Sequence, residues 1–148
     1  MSQMISSTKR AYLAGFLDGD GSIYVQAKPN KTYHYGFQIA SYVVLYQSKK
    51  GAENFKKLCS LIGLGYIRER NDGILEYIIG KEKSIKAFLN IVAPYVLLKK
   101  RQVKLILEII ERKALVKNRK DFVCLMKLVD RFRELNYSKK RITRILTP

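Results

Sequence analysis

The segment Leu13-Ala14-Gly15-Phe16-Leu17-Asp18-Gly19-Asp20-Gly21 constrains the fold of this chain more than any other stretch. Ser6, Ser7 or Thr8 can cap a helix there, and Tyr12, Leu13, Phe16 and Leu17 recur at helical spacing. The helix should end near Gly19 to Gly21, which puts Asp20 at its C-terminus. Carbonyls without amide partners and the negative end of the helix dipole face a carboxylate in that place, so a positive group is expected beside it. Asp20 together with the main-chain carbonyl of Gly19 is an all-oxygen donor set suited to a hard divalent cation such as Mg2+. Taken alone, Asp18-Gly19-Asp20-Gly21 reads as a helix ending in an Asp-Gly turn; the nine-residue context favours the cation site. Asp18 lies about 200° around the helix from Asp20, so the two acids do not converge on one ion. Gly15 and Gly19 share a helix face and leave a groove in which a second helix can pack.

The chain around this segment has 148 residues, enough for one domain with a real core. Lys and Arg number 29 against 12 Asp and Glu, a formal +17, which calls for a polyanionic partner, with nucleic acid the leading candidate. No long apolar run or signal-peptide pattern opens the sequence, so a soluble intracellular protein is expected, in a cytoplasm or nucleoid or inside an organelle. Cys59 and Cys124 are far apart in apolar helical patterns, which excludes zinc ribbons and disulfide frameworks and places both in the core. His34 is the sole histidine, so any hydrolysis must rest on carboxylate-bound metal rather than on paired histidines.

After the first helix the pattern switches to alternation. Ile23, Val25 and Ala27 oppose Tyr24, Gln26, Lys28 and Asn30 in a strand over Ser22 to Asn30. A second strand, Phe37 to Gln47, sets Phe37, Ile39, Ser41, Val43 and Leu45 opposite Gln38, Ala40, Tyr42, Val44 and Tyr46. A helix over Gly51 to Ile62 follows, then strands Tyr66 to Arg70 and Ile74 to Ile79 joined by Asn71-Asp72-Gly73, a strong hairpin signal. Helices are expected at Glu82 to Val92, Lys99 to Leu115, Arg119 to Asn136 and Ser138 to Leu146. The order αββαββα with extra C-terminal helices defines an α+β domain spanning 1-148, with residues 1-7 flexible and 137-148 a basic extension. Its four-stranded antiparallel sheet carries helices on one face and leaves the other open.

That open face is expected to present Tyr24, Gln26, Lys28, Asn30, Gln38, Tyr42, Arg68, Arg70 and Glu76, with Tyr33 in the intervening loop. Gln and Asn suit adenine, Arg and Lys suit guanine, and a β-ribbon fits the major groove. A strand of about nine residues spans roughly 30 Å, or around nine base pairs. For any one of these residues a merely solvated polar face is the competing reading. Lys139 and Lys140 near the C-terminus suit phosphate contact or a solvated basic tail equally.

The segment Leu13 to Gly21 resembles the signature of the LAGLIDADG homing endonucleases, departing from that name at Phe16, Leu17 and Gly19 by family-typical replacements. The resemblance extends to about Asn136. It implies the homing-endonuclease fold and a sequence-specific, Mg2+-dependent endonuclease, with Mn2+ able to substitute, acting on double-stranded DNA at a long pseudo-palindromic site for intron homing. Tyr46-Gln47-Ser48-Lys49-Lys50 is similar to the family segment whose Gln orders water near the scissile phosphate, which assigns that role to Gln47. Pro94-Tyr95-Val96-Leu97-Leu98-Lys99 resembles the stretch whose Lys contacts the active-site solvent network, which assigns it to Lys99; a solvated helix start is the plain alternative. Asp20, Gln47 and Lys99 are thus the catalytic candidates, with Asp20 and the Gly19 carbonyl holding metal. Single-motif relatives often carry a basic side chain four residues after that Gln, where this chain has Gly51, leaving Lys49 or Lys50 to supply the charge.

No internal repeat is visible and the motif occurs once, whereas cutting two strands needs two hydrolytic centres. A C2 homodimer is therefore expected, packed through Leu13, Gly15, Phe16 and Gly19 so that two Asp20 carboxylates approach and bound cations relieve their repulsion. A two-metal hydrolysis would follow. The competing functions are an RNA maturase or a non-catalytic DNA-binding regulator of the same fold, and a plain ribosomal or nucleoid protein binding without sequence preference.

Overall fold

A computed structural model describes residues 5–136. The first helix, α1 (Ser7–Asp20), starts where Ser6 adopts an extended backbone and its side chain accepts the Lys9 N–H. Ser6 and Ser7 thus belong to the helix start rather than to a flexible N-terminal stretch. At the other end Gly21 donates its N–H to the Leu17 carbonyl, and β1 (Gly21–Pro29) leaves without a connecting loop. Only glycine fits this junction: a Cβ on Gly21 would lie 2.7 Å from the Leu17 carbonyl oxygen.

From Gly21 the chain runs through β2 (Phe37–Ser48), a 3-10 turn at Lys49–Gly51, α2 (Ala52–Ile62), β3 (Tyr66–Glu69), β4 (Ile74–Ile79), α3 (Glu82–Val92), α4 (Lys100–Ala114) and α5 (Arg119–Leu135). The strands form one antiparallel sheet in the order β1-β2-β4-β3. This is the expected αββαββα order with two added helices, α4 and α5. The further helix expected at Ser138 to Leu146, and Lys139 and Lys140 within it, lie outside the described residues.

Alternation decides which face is buried. Ile23, Val25 and Ala27, then Ile39, Ser41, Val43 and Leu45, then Leu75, Tyr77 and Ile79 point into one core shared with Leu13, Leu17, Phe88, Ile106, Ile109 and Phe132 from the helices. α1, α4 and α5 contact β1, while α1, α2 and α3 contact β2. The opposite face is not wholly polar: Val44, at 1% exposed, and Ile78, at 8%, are buried there side by side in the β2–β4 register. Tyr66 is paired with Ile78 on that face.

Loop geometry holds the far edge. Gly63 ends α2 with φ 63°, and a Cβ on Gly65 would collide with the Ile78 carbonyl. The buried Tyr77 hydroxyl accepts the N–H groups of Leu64 (2.9 Å) and Gly65 (2.7 Å), and burial raises its pKa. Gly73, at φ 81°, closes the β3–β4 hairpin, and Arg70 lies in that turn rather than in the strand.

The two cysteines differ. Cys59 is buried on the inner side of α2 and burial pushes its thiol up to about 12, whereas Cys124 is exposed on α5, which corrects the expectation of two core thiols. A maleimide at neutral pH should therefore label native protein at Cys124 alone and reach Cys59 only after denaturation, as read by intact mass. Rapid native labelling of Cys59 would contradict the packing of α2.

Candidate active site and DNA interface

The C-terminus of α1 is organised by Asp18, the acid whose place on the other helix face marks it as structural. The Asp18 carboxylate accepts the backbone N–H groups of Leu97 (2.8 Å), Leu98 (3.1 Å) and Lys99 (3.1 Å). Three successive amides just before α4 thus find one anionic partner, because Lys99, at the N-cap position, offers no side-chain cap of its own. In return the Lys99 ammonium donates to the Asp18 carbonyl oxygen at 2.8 Å. The carbonyl end of α1 receives a cation, as the dipole argument requires, and the partly buried Lys99 stands one peptide unit from Gly19 and two residues from Asp20.

Asp20 is the last residue of α1 and is exposed. Gln47 lies at the same end of the sheet: Gly21 pairs with Leu45, and Gln47 is two residues further along β2, about 7 Å past the start of β1. Gln47 lines a groove of about 550 Å³ with Tyr12 and Phe16 of α1, Gly51, and Phe55 and Leu58 of α2. Its Oε1 accepts the Ser48 N–H at 2.8 Å. Lys99 is thus bonded to the end of α1 that carries Asp20, while Gln47 lies in the groove between α1 and α2. At the position of the missing basic side chain, Gly51 leaves space beside Gln47. Lys49 pairs with Glu69 at 2.9 Å on the surface, and Lys50 is exposed in the adjoining 3-10 turn.

Asp20 with the last carbonyls of α1 fits a hard cation by chemistry. Among the described residues no group of three or more His, Cys, Asp and Glu side chains gathers to hold a metal. One chain supplies a single carboxylate, and a full oxygen shell needs water, phosphate or a second copy.

The expected seam on α1 is corrected at two positions. Leu13 is fully buried in the chain's own core, and Phe16 is half-buried, its ring 6.1 Å from that of Phe55. The open stripe consists of Ala11, Tyr12, Gly15 and Gly19, with nothing within 4 Å of a Cβ built on either glycine. Beside it stand Leu97 and Leu98, 72% and 77% exposed, held against α1 by Asp18. Nothing in the local pattern distinguishes these leucines from a helix start.

On the open sheet face Tyr24 and Tyr42 are register partners with rings stacked at 5.1 Å. Lys28 donates to the Tyr42 hydroxyl at 2.7 Å and lies 5.1 Å from its ring centre. Gln26 and Gln38 occupy the same face, half-exposed, and Tyr33 is exposed at the loop tip. Asn30 is partly engaged, since its Oδ1 accepts from both the N–H and the hydroxyl of Thr32. Glu76 sits between Arg68 and Arg70, 3.9 Å from each, with its side chain only 16% exposed. It orients the two guanidinium groups more directly than it offers itself to a base.

An α+β fold whose motif helix ends in Asp18 and Asp20, with a four-stranded antiparallel sheet left open on one side, is the architecture of the LAGLIDADG class. The LAGLIDADG endonuclease family model matches residues 13–110, and the chain belongs to that family. It is 39% identical over 83 residues to DNA endonuclease I-CreI of Chlamydomonas reinhardtii and 34% identical over 86 residues to DNA endonuclease I-CvuI of Chlorella vulgaris. These matches cover 56% and 58% of this chain and 50% and 53% of the relatives, about half their length. In three dimensions the chain superposes on the homing endonuclease I-CvuI, solved in complex with the I-CreI target, with a TM-score of 0.84 and 31% identity over 91% of this chain and 86% of that one. The archaeal intron-encoded endonuclease I-Vdi141I, solved with DNA, shares the fold at a TM-score of 0.80 and 22% identity, covering 93% and 89% of the two chains.

Asp18→Ala should lower stability by about 2 kcal/mol, the scale of charge-assisted hydrogen bonds to backbone amides, read as a fall in Tm. Hydrogen exchange at Leu97, Leu98 and Lys99 should quicken well beyond the rest of α4. Unchanged exchange at these three amides would contradict the arrangement.

Proposed function

We propose that this chain is one half of a homodimeric, sequence-specific DNA endonuclease that cuts both strands of a long pseudo-palindromic site, in the manner of an intron-encoded homing enzyme. The observation that carries the reading is the bond that holds Lys99 against the end of α1, beside exposed Asp20, an open glycine stripe and a sheet face bearing Lys28, Arg68 and Arg70. A two-fold axis along that stripe would bring the two helix ends together, since an isologous interface uses the same patch twice. The interface we assign is Tyr12, Gly15 and Gly19, with Leu97 and Leu98 beside them.

Asp20 and the Gly19 carbonyl are the groups that would hold Mg2+, with Mn2+ an expected substitute. Bound there, the ion would polarise water and neutralise charge on the phosphate and the leaving oxygen. Lys99 keeps two ammonium protons beyond the one given to Asp18, which suits it to hold solvent or a phosphate oxygen at the cut. Gln47, with Oε1 taken by Ser48, donates through Nε2 to water at the same place. Lys50 supplies the charge that Gly51 lacks.

Reading of sequence falls to Gln26, Lys28, Gln38, Arg68 and Arg70, whose planar amides and cations match base edges. Tyr24 and Tyr42 form a stacked base beneath Lys28, Asn30 and Tyr33 serve the outer end, and Glu76 keeps Arg68 and Arg70 in place. Lys139 and Lys140 are assigned to phosphate contacts. The protein would work wherever its DNA lies, in a cytoplasm, nucleoid or organelle.

Asp20→Asn should cut cleavage of cognate duplex in Mg2+ by more than about a hundredfold, beyond the effect of typical outer-shell changes at metal sites, with binding in Ca2+ largely unchanged. Retained cleavage would remove Asp20 from the site. Wild-type protein that binds duplex tightly yet never cuts it, while promoting splicing of an intron transcript, would favour a maturase.

A further inference from the structure

The loop between β1 and β2 is held from outside the sheet. Within it, Asn30 donates its N–H to the Gly36 carbonyl at 2.8 Å, Tyr33 donates to the Asn30 carbonyl at 3.2 Å, and Gly36 donates to the Tyr33 carbonyl at 2.9 Å. Gly36 turns the chain at φ 80°, a conformation that favours glycine. These bonds close the loop on itself, but they do not fix its tilt relative to the sheet. That is set by Tyr35, whose ring stacks on Phe122 of α5 with centroids 4.8 Å apart and planes within 17°. His34 meets the other side of Tyr35 edge-on at 4.5 Å. Phe122 is itself tied down, being packed against the core in the first turn of a helix capped by Asn118.

The chain between these anchors carries Lys31, Thr32, Tyr33 and His34, all exposed. It lies at the end of the hairpin away from Asp20, about 30 Å along β1 at the rise of a strand. A loop tip that far from the cut reaches the outer end of a half-site. A base-specific contact there depends on side-chain placement to within a fraction of an ångström, which a free loop does not supply.

We infer that Tyr35 and Phe122 are positioning residues for target discrimination: their stack aims the loop tip, so α5, which carries none of the assigned base-reading groups, governs how strictly the outermost base pairs are read. The inference rests on the DNA-reading function proposed above. The ring of Tyr35 is what matters, and its hydroxyl is dispensable to the stack.

The test is a selection from a pool of fully randomised duplexes with the full chain, followed by binding of each single-base variant of the enriched site by wild type, Phe122→Ala, Tyr35→Ala and Tyr35→Phe. Discrimination at the outermost pairs of each half-site should fall by about tenfold in both alanine variants, the scale of one well-made base contact, with the inner pairs read as before. Tyr35→Phe should read like wild type. If Phe122→Ala does not fold by circular dichroism, Tyr35→Ala, whose change lies in the loop, carries the test alone. Equal weakening at every position, or unchanged discrimination at the outer pairs, would overturn the positioning role while leaving DNA reading intact. A wild-type chain that enriches no sequence would overturn DNA reading, and the positioning role with it.

Discussion

The Asp18 carboxylate, gripping three consecutive amides at residues 97 to 99, is the contact on which the rest of the site depends. It joins α1 to the start of α4 across some eighty residues of sequence and delivers Lys99 to the helix end that holds Asp20. The two acids of the motif divide the work by position around the helix. Asp18 faces the chain's own backbone and fixes structure, whereas Asp20 faces outward at the exposed terminus. The same contact holds Leu97 and Leu98 out beside the glycine stripe, so that one interaction shapes both the pocket and the surface next to it.

The sheet face has a different logic. On the proposed function, a net charge of +17 would bring DNA close without regard to sequence, and discrimination would then need groups held in place. The structure holds several of them by local partners: Lys28 by Tyr42, Arg68 beside Glu76, Arg70 by Asp72 with Glu76 further off, the loop tip by Tyr35 on Phe122. Rigid placement before binding lowers the cost of ordering these long side chains on DNA.

Most of the fold was legible in the sequence because its signals are local. Alternation placed β1 and β2 within a residue, Asp72-Gly73 placed the hairpin, and the bounds of β4 and α3 agree with the pattern. What escaped was long-range or depended on which of two apolar surfaces a residue faces. Leu13 and Gly15 lie in the same helical signature, yet only packing shows that Leu13 belongs to the core and Gly15 to the open stripe. Cys124 sits in an apolar rhythm but on the rim of α5. The Asp18 contact and the Tyr35–Phe122 stack join segments that no local window spans. In the candidate site, Asp20, Gln47 and Lys99 are proposed from family resemblance; the amides that position Lys99 had no signal in the sequence.

The central claim is that one chain holds half of a two-fold site, incomplete until a second copy supplies the other Asp20. Sedimentation of the protein with a duplex carrying its selected site, in Ca2+, measures this directly. The account predicts a complex of two chains per duplex, formed cooperatively, with no populated one-chain complex that cuts both strands on exchange into Mg2+. A single bound chain that makes a double-strand break by itself would contradict it.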